Sequence, residues 1–109
     1  MMDDRDYQRL ADEAFRRIED GFKDVDPDVV DFERTQGDVL TLTFAGGKRC
    51  IINTQRPTRQ IWMAANARAW HFSFDPTRAV WHDDKEPQSE LFATLTKVVH
   101  EVANVTVTF

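Results

Sequence analysis

A chain of 109 residues, 41% hydrophobic and 30% charged, has the make-up of one soluble globular domain with a single core. The formal net charge is −5, yet residues 1–33 hold twelve acids and five bases while residues 34–109 hold seven acids and nine bases. A negative field gathered in one third of the chain attracts cations and basic protein surfaces and argues against nucleic-acid binding. No apolar run approaches the roughly 20 residues that a membrane-spanning helix needs, and Met-Met-Asp-Asp-Arg-Asp is too acidic for a signal or transit peptide, so a cytoplasmic location is expected.

Tyr7, Leu10, Ala11, Ala14, Ile18 and Phe22 recur at three- and four-residue spacing, which predicts an amphipathic helix over residues 4–22. Asp3 or Asp4 is its N-cap, and Gly21 and Pro27 are expected to close it. Asp12 with Arg16, Glu13 with Arg17 and Glu19 with Lys23 stand four apart and are expected to pair. Strands follow. Val30 and Phe32 alternate with Asp31 and Glu33, and Leu40, Leu42 and Phe44 with Thr41 and Thr43. After a turn at Ala45-Gly46-Gly47 come strands over residues 48–55, around Trp62, over 70–74 and near 79–82. Leu91, Phe92, Leu95, Val98, Val99 and Val102 mark a second helix over about residues 89–102, and residues 104–109 read as an extended cover beside the helices. Both helices need an apolar surface, and one sheet face supplies it. The fold class expected is therefore α+β: a two-layer sandwich with two helices packed on one face of a mainly antiparallel sheet, forming a single domain over residues 1–109.

The lone cysteine, Cys50, lies in an apolar strand pattern and reads as a small buried hydrophobe. Glu19, Asp20, Asp24, Asp26, Asp28, Asp31 and Glu33 are seven carboxylates against one lysine. A short connector links helix to strand, so they are expected to form one ridge along an edge of the sandwich. Carboxylate oxygens are hard ligands suited to Mg²⁺, Ca²⁺, Mn²⁺ and iron. Val29 stands where an EF-hand glycine belongs, and no histidine or cysteine accompanies the set, which excludes a closed zinc site. Any metal here binds in an open, hydrated, weak site, or the ridge is simply a solvated face that keeps the domain soluble.

Residues 52–64 read Ile-Asn-Thr-Gln-Arg-Pro-Thr-Arg-Gln-Ile-Trp-Met-Ala: two short apolar runs around a proline turn. Strand alternation turns Ile52, Ile61 and Met63 inward, and Asn53, Gln55, Gln60 and Trp62 outward. His71 joins the outward set if Trp70 and Phe72 point inward. An indole among amides on an open sheet face is a docking surface, unless another element of the chain covers it. Helices confined to one face leave Trp62 without an internal partner, which favours exposure. No nucleophile with a base and an orienting third group stands beside His71, so a catalytic role for it has no support.

The residue 52–64 run, preceded by Val-Leu-Thr-Leu-Thr-Phe (39–44), followed by Trp-His-Phe (70–72) and opened by an acidic helix, resembles the frataxin family in its bacterial branch. The resemblance covers nearly the whole chain. It implies the frataxin fold and an accessory or regulatory protein of iron–sulfur cluster assembly without intrinsic catalysis. It further implies that the seven carboxylates bind ferrous or ferric iron weakly and meet a basic patch on a cysteine desulfurase. The Asn53, Gln55, Gln60, Trp62 and His71 face would contact the desulfurase and the scaffold protein, and the chain would be a monomer without iron. Two rivals stand beside it: a ferroxidase or iron-storage protein that oxidises Fe²⁺ on clustered carboxylates, and an acidic interaction module with no metal role. The first lacks the Glu-x-x-His helix pairs of dedicated di-iron enzymes. Gly21 and Lys23 depart from the acidic run of bacterial relatives, and the spacing over residues 28–38 differs by about one residue, so Asp31 and Glu33 are assigned less securely than Asp20, Asp24 or Asp26.

Overall fold

The structure, a computed structural model, describes residues 2–109. Helix α1 spans Asp4–Phe22, with the Asp3 carboxylate accepting from the Asp6 N–H at 2.8 Å, which satisfies one of the unpaired amides of the first turn. Its apolar stripe buries Tyr7, Ala11, Ala14, Phe15, Ile18 and Phe22. Gly21 does not close the helix. It lies inside α1, with Lys23 in right-handed helical geometry beyond it, and a Cβ at Gly21 would stand 2.5 Å from the Phe109 ring. The glycine is there to let the C-terminal segment approach.

Six strands follow: β1 Val30–Thr35, β2 Val39–Phe44, β3 Arg49–Gln55, β4 Gln60–Ala65, β5 Arg68–Asp75 and β6 Val80–Asp83. They form one sheet in chain order, and every neighbouring pair is antiparallel. Tight connections make this order the easy one, because each strand meets its successor through a short turn. Gly46 and Gly47, with φ of 92° and 91°, make the β2–β3 turn in a backbone region that side chains rarely adopt. The β1 edge carries outward Asp31 and Glu33, both exposed, and charges on an edge strand discourage pairing with another chain.

One sheet face buries Val30, Leu40, Leu42, Phe44, Cys50, Ile52, Ile61, Met63, Trp70, Phe72 and Trp81. Helix α2, Leu91–Ala103, adds Leu91, Leu95, Val98 and Val99 to the same core, so both helices lie on this face. Each fully buried large apolar side chain contributes about 1.5–3 kcal/mol, and this shared layer is what holds the sandwich together. Asn104, at φ 56°, ends α2 in the left-handed geometry that asparagine tolerates, its N–H returning to the His100 carbonyl. The segment after it is an extended cover, as its alternation predicts. Val107 is buried, Thr96 Oγ1 donates to the Val107 carbonyl at 2.9 Å, and the Phe109 ring leans on Phe22 and Phe92. Among the described residues no helix is long and apolar enough to cross a membrane.

Of the three expected helix pairs only Asp12 with Arg16 forms, at 2.9 Å. Glu13 pairs with Arg9 instead. Arg17 lies over the Phe92 ring and donates to the Phe109 carbonyl. Glu19 faces Arg34 of β1 rather than Lys23. Exposed i,i+4 pairs are worth only about 0.3–0.5 kcal/mol, so tertiary partners readily displace them.

Candidate functional site

The sheet face opposite the helices carries the residues that alternation turned outward. Asn53, Trp62 and His71 stand in register across β3, β4 and β5. Trp62 is half-buried, not bare: its indole stacks on the His71 ring, with centroids 4.1 Å apart and planes 14° apart. The expectation that Trp62 lacks a partner within the chain is thus corrected. Cross-strand neighbours on one sheet face are close enough for ring stacking, and β5 places His71 directly beside it.

Gln60 is the second correction. It lies on the outer face, but it is only 8% exposed and does not meet water as an open amide. Its Oε1 accepts from the Trp62 indole N–H at 2.9 Å, and its Nε2 donates to Ser73 Oγ at 3.1 Å and to Asp84 Oδ2. The Ser73 hydroxyl donates to Asp84 Oδ1 at 2.9 Å. Asp83, 5% exposed, accepts from the His71 N–H at 3.1 Å and the Glu86 N–H at 3.0 Å, while the Asp84 N–H donates to the His71 carbonyl at 3.0 Å. Ser73, Asp83 and Asp84 escaped sequence reasoning. The alternation of residues 70–74 does turn Ser73 outward, but only the β5–β6 pairing brings Asp83, opposite inward-facing Phe72, and Asp84 beside His71. Asn53 and Gln55 are half-buried, and the Asn53 amide donates to the Thr54 carbonyl at 3.2 Å. Ile51, 40% exposed, is paired with Thr41 and Ala64 on the same face. The result is a flat surface: one preoriented aromatic pair, a bare isoleucine and small or amide neighbours.

The candidate metal ligands divide. Glu19 and Asp20 occupy the last turn of α1, Asp24, Asp26 and Asp28 the connector, and Asp31 and Glu33 the edge strand β1. Asp20, Asp24, Asp26, Asp28, Asp31 and Glu33 are exposed, and among the described residues none of the six forms an ion pair. Asp26 also shapes the connector: its Oδ1 accepts from the Asp28 N–H at 2.9 Å, a turn that aspartate makes readily. Glu19 is half-buried, with Oε1 3.6 Å from Arg34 Nε, so a guanidinium already meets part of its charge. Among the described residues no three Asp, Glu, His or Cys side chains converge as a preformed metal cage. Six hard, water-facing carboxylates offer oxygen ligands one or two at a time, with water completing any coordination shell.

Two buried groups away from these surfaces have shifted acidities. Burial pushes the Cys50 thiol up to about 12, which removes the thiolate from neutral chemistry and fits the buried-hydrophobe reading. Burial also raises the Tyr7 phenol above 10.0. Tyr7 Oη donates to the Gln60 carbonyl at 2.7 Å and accepts from the Gln55 N–H at 3.0 Å, pinning the corner between β3 and β4 from beneath.

A frataxin-like domain profile matches residues 1–105. The chain is 39% identical over 105 residues to the iron-sulfur cluster assembly protein CyaY of Polaromonas sp., covering 94% of this chain and 87% of that one. It is 36% identical over 111 residues to the protein of the same name from Burkholderia mallei, covering 99% and 98%. The solved frataxin of Psychromonas ingrahamii, described within the CyaY family, superposes with a TM-score of 0.88 at 28% identity, covering 98% of this chain and 97% of that one. With its two helices on one face of a six-stranded antiparallel sheet, the chain belongs to the frataxin family, in its bacterial CyaY branch.

Proposed function

We propose that this chain is an accessory protein of iron–sulfur cluster assembly that binds iron weakly on its N-terminal carboxylates and docks on a cysteine desulfurase and its scaffold partner. The observation that carries the reading is the run of six exposed carboxylates from Asp20 to Glu33 that form no ion pair among the described residues, in a chain whose relatives bear the name iron-sulfur cluster assembly protein. Hard oxygen ligands suit ferrous and ferric iron, and their openness makes the affinity low and the ion exchangeable. The same charge draws a basic partner surface, raising the association rate and making it sensitive to salt. The Trp62 face supports a second contact, because large aromatics at the centre of an interface carry a disproportionate share of binding energy. Electrostatics brings the partners together, and the indole sets the register.

The test is binding of the chain to a purified bacterial cysteine desulfurase over a salt series, for the wild type, Asp20→Lys with Asp24→Lys, and Trp62→Ala. The reading expects wild-type binding that weakens with salt and loss of affinity in both variants, with the salt dependence flattened only in the lysine pair. Absence of binding at low salt, together with saturable iron-dependent oxygen uptake that Asp20→Asn with Asp24→Asn abolishes, would replace it with a ferroxidase or storage role. An anaerobic ferrous titration that moves no resonance between Glu19 and Glu33 would leave a protein-interaction module without a metal role.

A further inference from the structure

We infer that Asp84 is a positioning residue for the Trp62 face, holding the indole by its edge through Gln60 and by its stacked face through the backbone of His71. The inference rests on the docking role proposed for Trp62, although its first test needs no partner. Asp84 touches both supports of the indole. Its carboxylate receives Gln60 Nε2 and Ser73 Oγ, and its N–H donates to the carbonyl of His71, the residue stacked on Trp62.

The direction of the hydrogen bonds matters as much as their presence. An ionised carboxylate only accepts, so the Ser73 hydroxyl is committed to donate to Asp84 and Ser73 Oγ is left to accept from Gln60. With both acceptors on its nitrogen side, the Gln60 amide has one favourable orientation, and that orientation aims Oε1 at the Trp62 N–H. Remove the carboxylate and the amide loses one acceptor while the Ser73 hydroxyl is freed to donate elsewhere, so Gln60 is held by fewer hydrogen bonds and its Oε1 moves more freely against the Trp62 N–H. Gln60, at the centre of the network, is only 8% exposed, and a buried polar group is rigid when fully satisfied and costly when left unpaired. An indole immobilised before encounter loses less rotamer freedom on docking, an effect worth about 2- to 10-fold in affinity. Asp84 is exposed and lies beyond the end of β6, so nothing in the packing of the core requires a carboxylate there.

The experiment compares wild type, Asp84→Ala, Asp84→Asn, Gln60→Glu, and Asp84→Asn with Gln60→Glu. The readouts are indole N–H resonances, assigned with Trp62→Phe, and desulfurase affinity over a salt series. Asp84→Ala, which keeps the backbone N–H to His71, is expected to speed exchange of the Trp62 indole proton with water about tenfold or more, to shift its resonance as the Gln60 acceptor loosens, and to leave Trp70 and Trp81 unmoved. Affinity falls about 2- to 10-fold with unchanged salt dependence, which a simple loss of charge would not produce. Gln60→Glu alone sets two carboxylates against each other, whereas the double variant restores an acceptor for the indole and a donor at position 84 at the wild-type net charge. Its indole signal is expected to return towards wild type. Unchanged Trp62 exchange in Asp84→Ala, or a double variant no better than Asp84→Asn, overturns the inference. If the wild type fails to bind the desulfurase at all, the docking reading falls, and the indole measurement still decides the positioning.

Discussion

Replacing Tyr7 with Phe takes one oxygen out of the protein and leaves the ring in place, so its edge contact with Trp81, 6.3 Å between centroids, survives. What goes is a bridge: the hydroxyl donates to the Gln60 carbonyl and accepts from the Gln55 N–H, joining the end of β3 to the start of β4. Each bond contributes about 0.5–1.5 kcal/mol net, and a buried group left without a partner costs about 1–3 kcal/mol. Gln60 is buried and Gln55 half-buried, so water reaches one orphan better than the other, and we expect a loss of about 2–4 kcal/mol. At about 4 °C per kcal/mol for a domain of this size, Tm falls by about 8–16 °C. Urea unfolding is the assay, with an unchanged m-value showing that the denatured state is the same. The pH dependence adds a check. The folded phenol titrates above the unfolded one, so its stabilisation is whole below pH 10.0 and is lost as pH rises through the higher folded value. The gap between wild type and Tyr7→Phe should therefore narrow above pH 10.0. A loss below about 0.5 kcal/mol would refute the claim that the hydroxyl holds this corner.

Gly21→Ala gains up to about 1 kcal/mol of helix propensity, but the new Cβ meets the Phe109 ring at 2.5 and 2.6 Å. We expect a net loss of up to about 2 kcal/mol by urea unfolding, turning into a gain once Phe109→Ala is also present; a gain with Phe109 intact would contradict the packing account. Cys50 is 0% exposed with its thiol raised from 9.0 to about 12, so a thiol reagent should leave the folded protein unlabelled at pH 8 and label it at the rate of unfolding. The same shift withdraws stability as pH rises from 9.0 towards about 12, by up to about 1.4 kcal/mol per unit, and Cys50→Ala should flatten that slope. Arg34→Met removes a guanidinium held 2.8 Å from Asp12 and lying over the Phe15 ring. For a half-buried pair we expect a cost of about 1–3 kcal/mol, and a double-mutant cycle with Asp12→Asn that shows no coupling would refute the pairing.

Much of the fold was legible because its signals are local and periodic. Tyr7 to Phe22 at helical spacing marked α1 to the residue, and alternation around Ile61-Trp62-Met63 turned the right side chains inward because consecutive strand residues must face opposite ways. The same alternation puts Asn53, Trp62 and His71 on one face from sequence alone. It could not say what each side chain touches. Alternation alone makes Gln60 an open amide, yet Ser73 and Asp84 hydrogen-bond and orient it, and it leaves Trp62 partnerless although His71 stacks on it. Helical spacing matches Glu19 with Lys23 four residues on, and the structure gives it Arg34 from another element. Gly21 looked like a helix stop until the Phe109 ring appeared against it. In each case the deciding contact joins residues far apart in the chain, set by strand register and by where the C-terminal segment lies. Composition and period determine which residues avoid water. Which polar group satisfies which is a matter of a few tenths of an ångström between distant segments, and only the packed tertiary structure decides it.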